Sequence, residues 1–428
     1  MKCIKACSLR SLHFDTFLNL KELSVNKLKG YDLVINYIIQ EIMKQQSIIL
    51  VIDGLGIGEF EHYDNKHKCN TLQSISNIYD LNNTIFDLNY INLNLRHQMQ
   101  DFYISYGCSK LDHSGADSYL GHKEIICDDY SSEHLYIEDF YEKLKKALDK
   151  KYAVRFDYHC IIINDCVAIS NNVESDIGLN INVLGILDLI NFEEIFAIGQ
   201  LVKKIINPSR VIIMGGKPLD LKKIQNSIIS RYDQTTKRKV YGIKIPKTGI
   251  YNEHYQVYHL TKDSAGNIID SFINENKSVA LLGKTADMFN YKEVDREHIV
   301  NTEKLLARLI ELIKENKYDF IFANIQELDL AGHAQDVNKA AIVIKHFLNY
   351  LPQILSALTN GILIVTADHG NDPTCGHSYH TREMVPIYLF SKEMQINNIG
   401  IRNSLSDIGA SICKYNNLKS LGVGKTFI

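Results

Sequence analysis

Three short apolar runs, each ending at or shortly before an aspartate, constrain the fold of this chain more than any other feature. The runs are SIILVIDG at 47–54, YDFIFANI at 318–325 and ILIVTADHG at 362–370. Continuous apolar runs of this length are typical of strands that are covered on both faces. Between the last two, apolar residues recur at helical spacing from 336 to 358. A strand, helix, strand order of this kind predicts a parallel sheet.

The ends of these predicted strands indicate where a ligand binds. Ligands of open parallel sheets gather beyond the carboxyl ends of the strands. Asp53, Asp329 and Asp368 all lie at or just past such ends. The sequence therefore predicts an α/β fold with a site built around these three carboxylates.

The middle third of the chain has a different pattern. From about 126 to 270 no predicted strand ends in an aspartate, although RVIIMGG at 210–216 resembles a further strand. Basic residues cluster in this part: Lys222, Lys223, Arg231, Lys237, Arg238 and Lys239. A phosphate contact from this cluster and an ordinary solvated surface are both open interpretations.

These patterns predict three parts of the chain. Residues 47–125 and 271–428 form a core that carries the three aspartates, and residues 126–270 form an inserted, smaller α/β cap domain. Residues 1–46 form an N-terminal extension of unknown role, in which a helix is predicted from Tyr31 to Met43.

Composition limits the class of protein. Of 428 residues, 45% are apolar and 23% are charged, and no apolar run reaches the roughly 18 residues that span a bilayer. A net charge of -3 gives no electrostatic case for nucleic acid. The nine cysteines never form a CxxC pair and are typical of reduced cytosolic thiols. We expect a cytoplasmic protein with no nucleic-acid or membrane partner, and its oligomeric state stays open.

The strongest local signal is the segment TADHGND at 366–372, with His380 following twelve residues after Asp368. Carboxylates mixed with imidazoles suit manganese, zinc or iron, whereas calcium sites use oxygen almost exclusively. Asp329 and His333 lie four residues apart, so one helical turn could direct both at one ion. Taken singly, each pair is more often a capping aspartate beside a surface histidine.

Two further motifs are weak when taken alone. Asp53 precedes the glycine-rich segment GLGIG, which lacks the spacing of a dinucleotide-binding loop. A glycine-rich turn after a strand is usually only a turn. Ser118, in GADSYLGHKE at 115–124, is a candidate nucleophile, since a metal ion can present a hydroxyl as an alkoxide. Serine or aspartate before a helix is more often an N-cap.

Together the motifs resemble the alkaline phosphatase superfamily, in particular its phosphopentomutase branch and, more distantly, the cofactor-independent phosphoglycerate mutases. Four segments carry the resemblance: TADHGNDPT with the following HTREMVP, GxDSxxGHxE around Ser118, LLGKTADMF at 281–289 and SDIGASI at 406–412. The resemblance implies an alkaline-phosphatase-like core with a central, mostly parallel sheet flanked by helices.

The resemblance also implies roles for individual residues. One divalent ion takes Asp329, His333 and His380, and the other takes Asp53, Asp368 and His369, with manganese expected in preference to zinc. Ser118 occupies the position that is phosphorylated in the family, where phosphopentomutases usually have threonine. Asp165 resembles the sugar-contacting aspartate of the family.

The implied reaction is phosphoryl transfer through a phosphoserine, interconverting the 1-phosphate and 5-phosphate of ribose or deoxyribose. The alternatives are a phosphatase, a phosphodiesterase or another phosphomutase, and a non-catalytic metal-binding protein is a third class. Three departures leave the substrate open. The spacing from Asp329 to His333 resembles phosphoglycerate mutases, Lys123 stands where phosphopentomutases typically have tryptophan, and the middle third lacks their arginine-rich segment.

Overall fold

The computed structural model describes residues 44–58, 68–87, 101–233, 236–261, 266–394, 396 and 398–428. The helix predicted from Tyr31 to Met43, and nearly all of the predicted extension 1–46, lie outside these residues. Within the described part, no helix is long and apolar enough to cross a membrane.

The strands, numbered in chain order, are β1 (Gln46–Ile52), β2 (Tyr103–Ser109), β3 (Val154–Asp157), β4 (Cys160–Ile163), β5 (Val167–Asn171), β6 (Asn180–Ile186), β7 (Arg210–Gly216), β8 (Ile228–Asp233), β9 (Arg238–Ile243), β10 (Gln256–Thr261), β11 (Val279–Gly283), β12 (Asp295–Glu297), β13 (Phe320–Ile325), β14 (Gly361–Thr366), β15 (Val385–Ser391) and β16 (Asn398–Arg402).

The helices are α1 (Thr71–Ser76), α2 (Ser118–Ile125), α3 (Ile137–Leu148), α4 (Phe192–Ile206), α5 (Leu221–Asn226), α6 (Ile245–Thr248), α7 (Ile268–Asn274), α8 (Lys284–Met288), α9 (Thr302–Glu315), α10 (Glu327–His333), α11 (Val337–Ala357) and α12 (Ser406–Tyr415).

The first sheet has the strand order β12-β11-β13-β1-β14-β15-β2-β16. The five strands from β12 to β14 run parallel, β15 is antiparallel to both neighbours, and β16 is parallel to β2. Every residue of β1 and β13 is buried, as expected for apolar strands covered on both faces. Helix α11 connects β13 to β14, so the predicted strand, helix, strand unit and the mostly parallel sheet are confirmed.

The second sheet is built from strands between Val154 and Thr261 and is mainly antiparallel. Its order is β10-β7-β6-β5-β4-β3, with β9 beside β5 and β8 beside β9. The run predicted as a strand at 210–216 is β7. A separate apolar core joins this sheet to helices α3 and α4. These strands fall inside the predicted cap, while the boundaries at 126 and 270 stay a prediction.

Two cysteines depart from the expected reduced state. Cys69 and Cys375 form a disulfide across a sequence separation of 306 residues. The prediction of reduced thiols is wrong for this pair, because local spacing does not reveal a contact made by the tertiary fold. Five described cysteines are free: Cys108, Cys127, Cys160, Cys166 and Cys413. Cys3 and Cys7 lie outside the described residues.

Candidate metal centre and active site

Three adjacent parallel strands bring the predicted carboxylates to one edge of the first sheet. Strand β1 lies between β13 and β14, so the three carboxyl ends are neighbours. Asp53 directly follows β1, Asp368 follows β14 after one residue, and Asp329 lies in helix α10, which begins two residues after β13. The convergence therefore follows from strand order rather than from loop conformation.

One cluster, the inner trio, consists of Asp53, Asp368 and His369, all fully buried. The Nε2 atom of His369 lies 3.2 Å from Oδ2 of Asp368 and 3.6 Å from Oδ1 of Asp53. Neither His369 Nε2 nor Asp53 Oδ1 has a hydrogen-bond partner in the described part of the chain. Because these two atoms face each other at 3.6 Å, one ion could bind both.

A second cluster, the outer trio, consists of Asp329, His333 and His380. The Nε2 atom of His380 lies 3.1 Å from Nε2 of His333 and 3.3 Å from Oδ1 of Asp329. Oδ2 of Asp329 lies 3.5 Å from Nε2 of His333. The ring of His380 stacks on that of His369, with centroids 3.8 Å apart, so the two trios adjoin. The side chain of His333 is 33% exposed, which makes this trio the one nearer solvent.

The three histidines are held in one tautomer by backbone carbonyls. Nδ1 of His333 lies 2.9 Å from Ser378 O, Nδ1 of His369 lies 3.0 Å from Gly370 O, and Nδ1 of His380 lies 2.7 Å from Ala116 O. Because a carbonyl oxygen only accepts hydrogen bonds, each Nδ1 carries the hydrogen. The atom that each ring turns toward the clusters is therefore Nε2, which binds a metal when it carries no hydrogen.

The donor atoms fit divalent cations. Ligand atoms about 2.1 Å from one ion, at tetrahedral or octahedral angles, are about 3.0–3.4 Å from each other. Three of the separations between donor atoms, at 3.1 to 3.3 Å, fall within that range, and the other two, at 3.5 and 3.6 Å, lie just above it. The environment of Asp53 also favours a cation. Burial and the neighbouring Asp368 raise the pKa of Asp53 to about 7, although Lys284 opposes the shift. A bound cation would stabilise the ionised carboxylate.

Carboxylate oxygens of both trios also contact groups that the sequence analysis did not select. Lys284 Nζ lies 2.7 Å from Asp53 Oδ2 and 3.6 Å from Asp329 Oδ2. Asn324 donates to Asp53 Oδ2 at 2.9 Å, and Asn371 donates to Asp329 Oδ1 at 2.8 Å. All three side chains occur in segments already singled out, at the end of β13, after β11 and in the TADHGND segment. For Asn324 and Asn371, a polar side chain within a few residues of a predicted ligand is the signal that could have identified them.

The predicted nucleophile lies against the inner trio. Ser118 is the first residue of α2, and its Oγ donates to Asp368 Oδ2 at 2.5 Å. The N-cap is Asp117, whose carboxylate accepts from Leu120 N at 3.1 Å, so the N-cap interpretation applies to Asp117 and not to Ser118. A Cβ atom at Gly121 would lie 2.5 Å from Asp368 O, so only glycine lets the helix approach this strand end so closely.

The second sheet delivers further polar groups to the same helix. Asn180 of β6 donates to Asp117 Oδ2 at 2.8 Å, and Nη2 of Arg210, on β7, lies 3.6 Å from the same oxygen. Burial alone would raise the pKa of Asp117, but Arg210 and Asn180 lower it. Nη1 of Arg210 lies 3.5 Å from Nδ1 of His259, on β10. Burial, with Arg210 and Lys284 nearby, lowers the pKa of His259 to about 3, so this ring is neutral at pH 7.

Several buried atoms around Arg210 lack a hydrogen-bond partner among the described residues: Nε of Arg210, Oδ1 of Asn180, Nδ2 of Asn182 and Oγ of Ser170. Ser170 and Asn182 face each other across β5 and β6, and Asn180 pairs with Arg210 across β6 and β7. These residues form the polar row of the second sheet. The sequence analysis missed the row, because its members are joined only by strand register.

Two other predicted contacts do not reach the clusters. Asp165 lies in the turn between β4 and β5, where its side chain is 66% exposed and pairs with Arg155. The basic cluster of the middle third is dispersed. Arg238 pairs with Asp139, whereas Arg231 donates to the carbonyls of Val173 and Ser175 and lies over the ring of Tyr379.

Comparisons with known proteins agree with this geometry. The sequence profile of the Metalloenzyme superfamily matches residues 45–420. A phosphopentomutase of Caldanaerobacter subterraneus subsp. tengcongensis is 34% identical over 165 residues, which are 38% of this chain and 42% of that protein. A phosphopentomutase of Idiomarina loihiensis is 28% identical over 237 residues, 54% of each chain. The chain thus spans about half the length of the curated relatives it matches.

Among solved structures, the crystal structure of Leishmania mexicana phosphoglycerate mutase is similar with a TM-score of 0.42. It is 11% identical, and the match covers 88% of this chain and 96% of that chain. The fold class and the resemblance predicted from the sequence motifs are confirmed by the profile match and the curated relatives.

Proposed function

Because the chain belongs to the Metalloenzyme superfamily, we propose that it is a metal-dependent phosphomutase of the phosphopentomutase type. Its substrate is a small phosphorylated sugar, and it moves the phosphoryl group between the 1- and 5-oxygens of ribose or deoxyribose. Divalent metal binding follows from the family and from the donor set. Two ions, manganese in preference to zinc, belong to the proposal, with the inner and outer trios as their ligands.

The observation that carries this proposal is the position of Ser118. Its hydroxyl lies at the first turn of α2, 2.5 Å from a carboxylate oxygen of the inner trio. A helix N-terminus favours the negative charge of a phosphate group. A hydroxyl so placed is suited to attack phosphorus, whereas a serine that only capped the helix would direct its oxygen at the backbone.

The reaction needs positioning and charge neutralisation more than covalent help from acids or bases. Bound divalent ions would supply a positive field for the phosphate oxygens and lower the pKa of the nucleophile. Asp368 Oδ2 holds the hydrogen of Ser118 in the resting state. Lys284 contributes a fixed positive charge between Asp53 and Asp329.

Bonds balance in two half-reactions. Ser118 Oγ loses its proton and forms a bond to phosphorus as the bond from phosphorus to the first sugar oxygen breaks, and that oxygen takes up a proton. The second sugar hydroxyl then loses its proton as its oxygen attacks the phosphoserine, the bond from phosphorus to Ser118 Oγ breaks, and Oγ takes up a proton. Water must stay outside throughout, since hydrolysis of the phosphoserine would turn the mutase into a phosphatase.

The polar row of the second sheet supports a sugar phosphate as the ligand. Unpaired donors on Arg210 and Asn182 suit phosphate or hydroxyl oxygens, and unpaired acceptor atoms on Asn180 and Ser170 suit sugar hydroxyls. The link from Arg210 to Asp117 brings this row beside the nucleophile helix. We therefore assign substrate recognition to the second sheet and phosphoryl transfer to the first.

One observation favours a different phosphomutase as the second candidate. Asp329 and His333 lie four residues apart within the single helix α10, which is the spacing of the phosphoglycerate mutase pattern. A phosphoglycerate would use the same nucleophile and the same positive field. A cytoplasmic location is part of both candidates, and neither requires nucleic acid or membrane.

A turnover assay with separate detection of each product tests the proposal. The manganese-loaded protein is incubated with ribose 1-phosphate, and ribose 5-phosphate and free phosphate are measured. We expect ribose 5-phosphate as the main product. Free phosphate as the main product would identify a phosphatase, and turnover of 3-phosphoglycerate but not of the pentose phosphate would identify the second candidate. The Ser118→Ala variant is the control for contaminating activity.

A further inference from the structure

The disulfide between Cys69 and Cys375 lies on the loop that carries one of the predicted metal ligands. Cys375 is midway between His369 and His380 in the sequence, and Cys69 directly precedes the N-cap of α1. The two Cα atoms are 5.7 Å apart, the usual separation for a disulfide. The bond thus joins the loop 370–380 to a segment that is distant in sequence.

Hydrogen bonds hold the same two segments together independently of the sulfur atoms. Asn70 N donates to Asp372 Oδ2 at 2.8 Å, and the hydroxyls of Ser74 and Thr374 lie 2.8 Å apart. The loop therefore has a folded position that does not require the disulfide. Forming the bond adds a covalent restraint to an arrangement that is already present, which is the condition for reversible closure.

A third residue, His377, favours thiol–disulfide chemistry at this position. One ring nitrogen of His377 lies within 4.8 Å of both sulfur atoms. Once its ring nitrogen comes within hydrogen-bond reach of a sulfur atom, an imidazole beside a dithiol can take the proton of an attacking thiol and return it to a leaving thiolate. Cys69 and Cys375 are buried, but Lys68, Thr374 and Gly376 beside them are exposed, so the sulfurs lie just below the surface.

We propose that Cys69, Cys375 and His377 form a dithiol–disulfide site, and that its state sets how firmly the loop holds His380 on the outer trio. Small oxidants of the peroxide class close the site, and small thiols open it. The inference adds a modification site to the protein and does not depend on which phosphorylated molecule is the substrate. In the proposed cytoplasmic location, disulfides are usually transient or redox-sensing, which fits a site of this kind.

Each step balances. One thiolate attacks an oxygen of hydrogen peroxide, the O–O bond breaks, and a sulfenic acid and hydroxide form; the hydroxide takes a proton to become water. The second thiolate attacks the sulfenic sulfur, and a second water leaves as the S–S bond forms. The two cysteines lose two electrons and two protons in total. Two small thiols reverse the change and become one small disulfide.

The disulfide affects the metal centre by restricting local opening of the loop 370–380. Movement of the loop away from α1, with loss of the contact between His380 and the carbonyl of Ala116, releases His380 from the outer trio. A covalent link between the loop and the segment at 69 restricts such opening, because the link limits the conformations of the open form. The closed site should therefore retain metal longer than the open site.

The test uses the full chain loaded with manganese and compares two states. One sample is treated with hydrogen peroxide and the other with dithiothreitol, and both are freed of reagent. Peptide mapping without reduction detects the Cys69 to Cys375 link, and the transfer of manganese to a chelator is timed. We expect the linked peptide only after peroxide, with manganese leaving several-fold more slowly, and a return to the faster rate after dithiothreitol.

Variants separate this site from other thiols. Cys375→Ser should lose manganese at the rate of the reduced wild type in both treatments. Cys108→Ser is the matched control, because Cys108 is the most accessible free thiol in the described part, and this variant should respond like the wild type. His377→Gln should close more slowly with peroxide and reach the same final rate. If Cys375→Ser does not fold, the reduced wild type provides the open state.

Failure of this inference is distinct from failure of the proposed function, since no readout uses turnover. Amide hydrogen exchange of residues 370–380 in metal-free protein repeats the comparison without any ion, and we expect slower exchange in the peroxide-treated sample. Absence of the linked peptide after peroxide would overturn the site. A linked peptide with unchanged manganese loss and unchanged exchange would overturn its effect on the loop.

Discussion

The two sheets present their polar groups to the site in different ways. At the strand ends of the first sheet, hydrogen bonds occupy the outer atoms of the carboxylates. Asp53 offers one oxygen to Lys284 and Asn324, and only the oxygen directed at the inner trio lacks a partner among the described residues. In the polar row of the second sheet, by contrast, unpaired atoms are spread over neighbouring side chains, from Ser170 to Arg210.

This difference indicates two kinds of ligand. Two unpaired atoms that face each other at 3.6 Å, Asp53 Oδ1 and His369 Nε2, suit a compact ion. Unpaired donors and acceptors spread over several strands suit an extended polar molecule, because each buried atom left unsatisfied costs about 1–3 kcal/mol. The contrast supports the proposed assignment of phosphoryl transfer to the first sheet and of substrate recognition to the second.

The largest effect should come from the first sheet. We expect Ser118→Ala to lower kcat on the order of 10³-fold or more, because the variant lacks the nucleophilic oxygen. Metal content should remain at the wild-type level, since Ser118 is not among the six predicted ligands. Kinetics, elemental analysis and mass spectrometry of the phosphorylated residue check these points together.

The matched control is Ser118→Thr, which keeps a hydroxyl and adds one methyl group in a fully buried position. It should retain part of the activity, as the threonine of phosphopentomutases implies. An active Ser118→Ala enzyme, or a phosphoryl group recovered reproducibly on another residue, would contradict the proposal. Phosphoryl transfer would then take place away from the strand ends of the first sheet.

The first sheet could be predicted because its information is local. Asp53, Asp329 and Asp368 each follow an apolar run within a few residues, and parallel strands need no further information to bring such ends together. The structure brings the six predicted ligands together, while their binding of ions stays a proposal. Lys284 was missed although its segment was recognised, since nothing in the sequence says that its ammonium group meets Asp53.

A smaller effect is expected from the second sheet. Arg210→Met should raise KM for the sugar phosphate about 10- to 100-fold, because hydrogen bonds to charged groups contribute about 1.5–3 kcal/mol. It should change kcat less than KM and leave metal content unchanged. Arg238→Met is the matched control, since Arg238 is an exposed arginine of the same sheet paired with Asp139.

An unchanged KM in Arg210→Met would contradict a role of the polar row in substrate binding. Ordered water, and not substrate, would then have to satisfy the unpaired atoms of the row. The variant Arg210→Lys tests whether directional hydrogen bonds are needed in addition to the positive charge. It keeps the charge but loses the planar group with its five donors, so it should fall between wild type and Arg210→Met if directional hydrogen bonds matter.

The polar row could not be predicted for a physical reason. Ser170, Asn180 and Arg210 are separated by up to 40 residues and meet only because β5, β6 and β7 pair in one register. A shift of one residue in any strand would turn these side chains to the opposite face. The Cys69 to Cys375 link is still harder to predict from the sequence. Its partners lie in different parts of the chain, and neither neighbourhood contains a disulfide signal.

The smallest effect should come from Asp165, which the resemblance assigns to the sugar but which lies in an exposed turn. Its backbone has a φ of 57°, a conformation that asparagine also adopts readily, so Asp165→Asn should fold normally. The change removes an exposed ion pair with Arg155, and such pairs contribute about 0–1 kcal/mol. We expect KM to change less than about twofold, because a turn outside both clusters contributes little to binding.

Steady-state kinetics on Asp165→Asn and Arg155→Met together decide the point, because both variants lose the same ion pair but only the first alters the carboxylate. Equal and small effects would keep recognition within the polar row. A large rise in KM for Asp165→Asn alone would mean that the turn between β4 and β5 reaches the substrate during turnover. Since this turn projects from the second sheet, that result would require the sheet to change position when substrate binds, and it would extend recognition beyond the groups that are buried in the resting structure.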